Sequence, residues 1–109
     1  MKPASERDWR LEMPRQVVKD NAAEADLIEI WLNTFETWGE AQAERYLGAL
    51  EAGIDDILKS PTTGKTRDTL RKGYWSKALE HHVIFYTFTE KEVRIRRVLH
   101  EVMDVERHL

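Results

Sequence analysis

The chain has 109 residues, 41% of them hydrophobic and 34% charged, with a formal net charge of −3 and no cysteine. Such a length and composition predict a single globular domain with a heavily charged surface, and the missing cysteines exclude disulfides and thiolate metal sites. No apolar run approaches the roughly 20 residues that span a bilayer, and no secretory leader pattern opens the chain, so no membrane contact and a cytoplasmic setting are expected.

Residues 1–12 hold Pro3, alternating charges and an isolated Trp9 without periodicity, and they read as an N-terminal extension that Trp9 and Leu11 could dock on the body. Met13-Pro14-Arg15 reads as a natural start, so 13–109 is taken as one domain, with Arg15–Lys19 as its first strand. Asn21 and Glu24 have the spacing of a capping box, in which each side chain satisfies a free amide at the helix start. The helix that follows places Leu27, Trp31, Phe35 and Trp38 on one stripe, widened by Ile28 and Ile30, and Gly39 suits its C-terminal stop. Ala43, Tyr46, Leu47, Leu50, Ile54, Ile57 and Leu58 recur at steps of three and four, which predicts a second core-facing helix that Ser60-Pro61 ends. With so short a link the two helices must fold back as an antiparallel hairpin.

Residues 62–69 read as a polar loop around Gly64, and Leu70 to Leu79 as short irregular strand character. Lys72-Gly73-Tyr74-Trp75 is expected at an exposed edge, with Trp75 as an interface anchor. Val83–Phe88 is β-branched and aromatic throughout, as in a central strand buried on both faces. After a turn at Thr89–Glu92, Val93–Leu99 returns beside it. Strict alternation would bury Arg97, so a β-bulge or a carboxylate partner is predicted near Arg96-Arg97, with Glu80 and Glu90 as candidate partners. The fold class is α+β: an N-terminal strand and an antiparallel helical hairpin packed on a three- to four-stranded, mainly antiparallel sheet.

Charge is unevenly distributed along this plan. Residues 1–64 hold 7 Lys+Arg against 13 Asp+Glu, whereas 65–109 hold 10 against 7. One negative and one positive face are therefore expected, while the acidic whole argues against sequence-specific nucleic-acid binding. The four histidines, His81, His82, His100 and His108, lack the spacing of a zinc motif, so no metal or other cofactor is expected. His100 at a strand end reads as a structural histidine tied to the tail through Asp104, or as an acid or base; Met103 reads as core filler.

Five segments carry a family likeness: Ala25-Asp26-Leu27-Ile28-Glu29-Ile30-Trp31, Trp38-Gly39-Glu40-Ala41-Gln42-Ala43, Ser60-Pro61-Thr62-Thr63-Gly64, His82-Val83-Ile84-Phe85-Tyr86 and Val98-Leu99-His100-Glu101-Val102-Met103-Asp104. In this order and spacing the chain resembles a ParE-type toxin of the RelE/ParE superfamily over residues 14–109, departing from it at Val102, where members often carry a basic residue. The resemblance implies the toxin of a bacterial type II toxin–antitoxin pair, one that poisons DNA gyrase without a catalytic centre of its own and is silenced by a ParD-type antitoxin. Target contacts would then come from Arg94, Arg96, Arg97, His100 and Trp75, and antitoxin contacts from Trp31, Phe35, Trp38, Arg71 and Lys72.

The other branch of the superfamily implies a ribosome-dependent mRNA endoribonuclease. In that case His100 would serve as acid or base and Arg97 or Arg96 as phosphate clamp, helped by Tyr86 or Glu101. Nucleases of that branch commonly carry a tyrosine in the terminal segment, whereas none follows Tyr86 here, and the Leu99-His100-Glu101-Val102-Met103-Asp104 pattern resembles the gyrase branch. A non-toxic, antitoxin-binding relative is the third reading.

Overall fold

The computed structural model describes residues 15–109, so the extension at 1–12, with Trp9 and Leu11, lies outside the described residues. The elements run β1 (Gln16–Lys19), α1 (Asn21–Trp38), α2 (Glu40–Lys59), a 3-10 turn (Pro61–Thr63), β2 (Lys65–Thr66), β3 (Trp75–Leu79), β4 (His82–Phe88), β5 (Glu92–His100) and α3 (Val105–His108).

Gly39 is the whole connection between α1 and α2. It sits at φ +90°, donates its amide to the Phe35 carbonyl, and accepts the Ala43 amide on its own carbonyl. One left-handed residue thus ends one helix and begins the next, which turns the pair back on itself. The capping box at Asn21 and Glu24 does not form. Asn21 is already helical, Asp20 holds the cap position without a side-chain cap bond, and its carboxylate is drawn instead to Arg94 and Arg96.

The sheet has five strands in the order β1-β5-β4-β3-β2, with β1 parallel to β5 and the other neighbours antiparallel. It exceeds the expected three to four strands because the presumed polar loop contains β2, whose two residues pair with Trp75 and Ser76. A two-residue edge strand is too short to leave a period in the sequence. Gly64, just before it, lies so close to its neighbours that a Cβ there would be 2.6 Å from the Ser76 carbonyl oxygen.

Apolar side chains fill both faces of the sheet. On the helical face Ala23, Leu27 and Ile30 of α1 and Leu50, Ile54 and Ile57 of α2 meet Ile84, Tyr86, Val93, Ile95 and Val98. On the far face Tyr74, Phe85 and Leu99 form a smaller cluster, covered by Leu70, Val83 and, from the chain's end, Val105 and Leu109.

Three expectations about burial are corrected. The stripe assigned to the core of α1 is split: Leu27 and Ile30 face the sheet together with Ala23, whereas Ile28 is 62% exposed, Phe35 42% and Trp38 73%. Met103 is exposed, since the chain leaves the sheet at His100 and turns before α3. Trp75 is not at a free edge. It opens β3 on the helical face, packs on the main core and meets Phe88 edge-on at 5.5 Å.

Candidate functional site

The predicted irregularity near Arg96-Arg97 takes both suggested forms. Phe85 pairs with Arg97 while Tyr86 pairs with Ile95, leaving Arg96 as the extra residue of a bulge. Past Ile95 the β5 edge has no strand beside it, and α1 fills the place with Asp26. Arg97 grips that carboxylate with both prongs, Nε to Oδ2 at 2.7 Å and Nη2 to Oδ1 at 2.9 Å, while the Val98 amide donates to Oδ2 at 2.9 Å. A third donor, Nη1, reaches the His108 carbonyl at 2.8 Å. The Asp26 carboxylate raises the Arg97 pKa further above its ordinary value, against the opposing effect of burial. This guanidinium therefore fastens α1, β5 and α3 together.

The other two arginines of β5 point to the far face and share Asp20. Arg94 lies 3.0 Å from Oδ1 and Arg96 3.2 Å from Oδ2; Arg94 also pairs with Glu92, and Arg96 donates to the Thr87 hydroxyl. Partial burial would raise the Asp20 pKa, but hydrogen bonds and charge from the two arginines outweigh it and hold it below the ordinary carboxylate value. Glu80 and Glu90, the carboxylates expected for Arg96 and Arg97, give way to Asp20 and Asp26, which the helix start brings to the edge of β5. Beside this network Arg96 and Arg71 both lie over the Tyr74 ring, at 5.8 and 5.4 Å, and Arg67 lies over Phe85 at 5.8 Å.

A groove of about 690 Å³ opens on the opposite side, between α1, the start of α2 and the end of the sheet. Ile30 and Val98 line its base, with Asn33, Thr34 and Gln42 on the helical walls and Trp38, Val102 and Met103 at its margin. Tyr46, His82 and His100 also line it, in one connected chain. The Tyr46 hydroxyl accepts the His81 amide at 3.1 Å and is hydrogen-bonded to His82 Nδ1, 2.6 Å away. The His82 and His100 rings meet edge to face with centroids 5.1 Å apart, and His100 Nδ1 accepts the Val102 amide at 3.3 Å. Burial and the neighbouring His100 and His81 lower the His82 pKa to about 4. Burial also raises the Tyr46 pKa, despite the His81 amide. Asp104 does not hold His100 as expected; its carboxylate caps α3 by accepting the Glu106 amide.

The residues singled out from sequence thus separate. Arg94, Arg96 and Arg97 belong to the far face or its edge, whereas His100 and Trp75 belong to the helical face. Trp31, Phe35 and Trp38 do share the outer side of α1. There Trp31 and Phe35 stack at 5.1 Å, beside an apolar hollow of about 380 Å³ lined by Leu27, Ile28, Leu32 and Leu47. Arg71 and Lys72 are exposed in the turn before β3, toward the far face. Asp20, Asp26, Tyr46 and Arg67 were not singled out. The available signal was position: Asp26 falls between Ala23 and Ile30 at helical spacing, where an unpartnered carboxylate would be costly. Among the described residues no cluster of three or more His, Asp or Glu is gathered as a metal would need.

Residues 17–105 match the family described as ParE toxin of type II toxin–antitoxin system, parDE. The chain belongs to the ParE toxin family. It is 43% identical over 89 residues to Toxin ParE1 of Mycobacterium tuberculosis, an alignment covering 81% of this chain and 91% of that one. To Toxin ParE1 of Caulobacter vibrioides it is 40% identical over 87 residues, 80% of this chain and 90% of that one. The solved structure titled "Chromosomal ParDE TA system from P. aeruginosa" superposes with a TM-score of 0.69 over 79% of this chain and 95% of that one, at 18% identity, which bears on the fold. This ParE-family chain is therefore a toxin of the type II toxin–antitoxin class, and no helix among its described residues is long and apolar enough to cross a membrane.

Proposed function

We propose that this toxin poisons DNA gyrase and is neutralised by a ParD-type antitoxin laid along the outer side of α1. The observation that carries the antitoxin half is the apolar stripe itself. Ile28, Leu32, Phe35 and Trp38 are exposed at helical spacing, with half-buried Trp31 between them, where the sheet has no use for them. A row of large apolar groups in water is a standing cost unless a partner covers it, and an amphipathic helix or strap is the partner whose anchors match that spacing. Family membership and the names of the relatives support the gyrase half. A ribonuclease would instead need Arg97 or Arg96 free to clamp a phosphate, whereas three donors of Arg97 are held by Asp26 and the His108 carbonyl, and Arg96 is engaged by Asp20 and the Thr87 hydroxyl.

Purified toxin added to gyrase and plasmid should block supercoiling and accumulate cleaved DNA, and premixing with the antitoxin encoded beside it should restore activity. Undisturbed supercoiling at large toxin excess would reject the gyrase target. Wild-type antitoxin affinity in Phe35→Ser/Trp38→Ser would reject the α1 stripe.

A further inference from the structure

The apolar stripe of α1 does not end at the helix terminus. Apart from Val17, every exposed large hydrophobic side chain among the described residues lies either on this stripe or at Val102 and Met103, immediately after β5. Trp38 joins the two groups, because it closes the stripe and also lines the histidine groove together with Val102 and Met103. One apolar track therefore runs down α1, around Trp38 and into a groove whose inner surface is polar.

The charge inside that groove has one sign. Asp26 and Glu29 line it, and no lysine or arginine does. Asp26 is neutralised by Arg97, but Glu29 has no ion-pair partner among the described residues. The imidazoles do not offset it: His82 is a neutral group held by Tyr46, His81 is turned to the Glu101 carboxylate at 3.3 Å, and His100 accepts the Val102 amide, which leaves Nε2–H as the donor of its neutral form. An acidic segment would be repelled here, and so would a second copy of this chain presenting its own helical hairpin, whose exposed side near the turn carries Glu36, Glu40 and Glu44 against Arg45.

We infer that the groove is a second docking site, taking a stretch of the antitoxin chain that bears one apolar anchor and, next to it, a lysine or arginine. This rests on the antitoxin reading above and adds to it a place and a chemistry. The anchor inserts against Ile30 and Val98 under the Trp38–Met103 margin, the cation meets Glu29, and a backbone carbonyl takes the Nε2 proton of His100. The apolar stripe supplies a sequence-tolerant hold, while the groove supplies the charge-selective part of recognition.

The test uses the whole 109-residue chain and its ParD-type antitoxin, with affinities from calorimetry at several salt concentrations and hydrogen exchange on the complex. Glu29 is exposed, so Glu29→Gln and Glu29→Lys leave the core untouched. The first should weaken binding about tenfold and the second more, and both should flatten the salt dependence. Amides of residues 101–103 should gain protection in the complex. Protection confined to α1, with wild-type affinity in both Glu29 variants, would overturn the groove and leave the antitoxin reading standing. Failure of the wild-type toxin to bind that antitoxin at all would overturn both.

Discussion

Removing the Asp26 carboxylate should unfasten the molecule more than any other single charge deletion. Asp26 accepts three hydrogen bonds, two from Arg97 and one from the Val98 amide, and its side chain is 12% exposed against 25% for Arg97. Deleting one member of a buried pair costs about 3–5 kcal/mol, because the remaining charge stays desolvated and unpaired. The groove gives this pair a margin of water, so Asp26→Ala is expected to cost about 2–4 kcal/mol, including the stranded Val98 amide. Asp26→Asn keeps an oxygen for Val98 but loses the charge, and should cost about 2 kcal/mol.

Arg97→Met leaves the carboxylate with Val98 and with water from the groove, at about 2 kcal/mol. The double variant Asp26→Ala/Arg97→Met should cost less than the sum of the singles, with a coupling of about 1.5–2 kcal/mol. Urea unfolding followed by tryptophan fluorescence gives all four corners of the cycle. A second readout separates the partners. Only Arg97 holds the His108 carbonyl, so Arg97→Met should speed proteolytic loss of residues 105–109 more than Asp26→Asn does. A coupling below about 0.5 kcal/mol would mean that the pair behaves as an ordinary surface contact and that the fastening role is mistaken.

Gly64→Ala should destabilise by about 1–3 kcal/mol and loosen β2, because its Cβ would crowd the Ser76 carbonyl and the Tyr86 hydroxyl; thermal unfolding at the wild-type midpoint would contradict this. Gly39→Ala meets no atom within 4 Å and should still cost about 1–2 kcal/mol from its φ of +90° alone, measured by the same melt. For His82 the folded pKa of about 4 lies below the ordinary 6.5, so the unfolded chain takes the proton first as pH falls. Its contribution to stability is thus complete above pH 6.5 and is lost progressively toward pH 4. Full burial would make that loss about 3 kcal/mol, and the partial exposure of the ring brings it to about 1.5–2; His82→Gln should flatten stability between those pH values, and an unchanged slope would contradict the assignment.

Much of the architecture was legible because it is local. Gly39 and Ser60-Pro61 punctuate the hairpin, and the unbroken run Val83–Phe88 marks the middle of the sheet. The Arg96-Arg97 irregularity was legible too, since a guanidinium in an inward register forces either a bulge or a counter-charge. The split of α1 was not. The predicted stripe mixes both sides of the helix: Leu27 and Ile30 do face the sheet, joined by Ala23, while the larger Phe35 and Trp38 do not. Nor could local pattern show what Asp20 and Asp26 do. Acidic residues near a helix start read as partners of the helix dipole, yet their partners Arg94 and Arg97 lie 74 and 71 residues away along the chain. The histidine groove was illegible for the same reason, being assembled from α1, α2 and two strand ends.

These long-range pairings also change where usable positive charge resides. Density along the sequence selects Arg94, Arg96 and Arg97 as target contacts, and they are the arginines whose charges carboxylates already answer. Arg67 and Arg71, with Lys72 beside them, have no carboxylate partner among the described residues; the two arginines rest on aromatic rings of the far face. Guanidinium stacked on an aromatic surface keeps its charge and most of its donors available while its position is fixed, which suits contact with a large anionic or polar target. The part of this toxin that meets its target should therefore centre on the turn before β3, with Arg96 as its inner support. On the antitoxin reading proposed above, the helical side, acidic and apolar, is left to that partner. On that division Arg71 and Lys72, expected from the family resemblance as antitoxin contacts, pass to the target side, and Arg67→Ala/Arg71→Ala should abolish gyrase poisoning with antitoxin affinity unchanged.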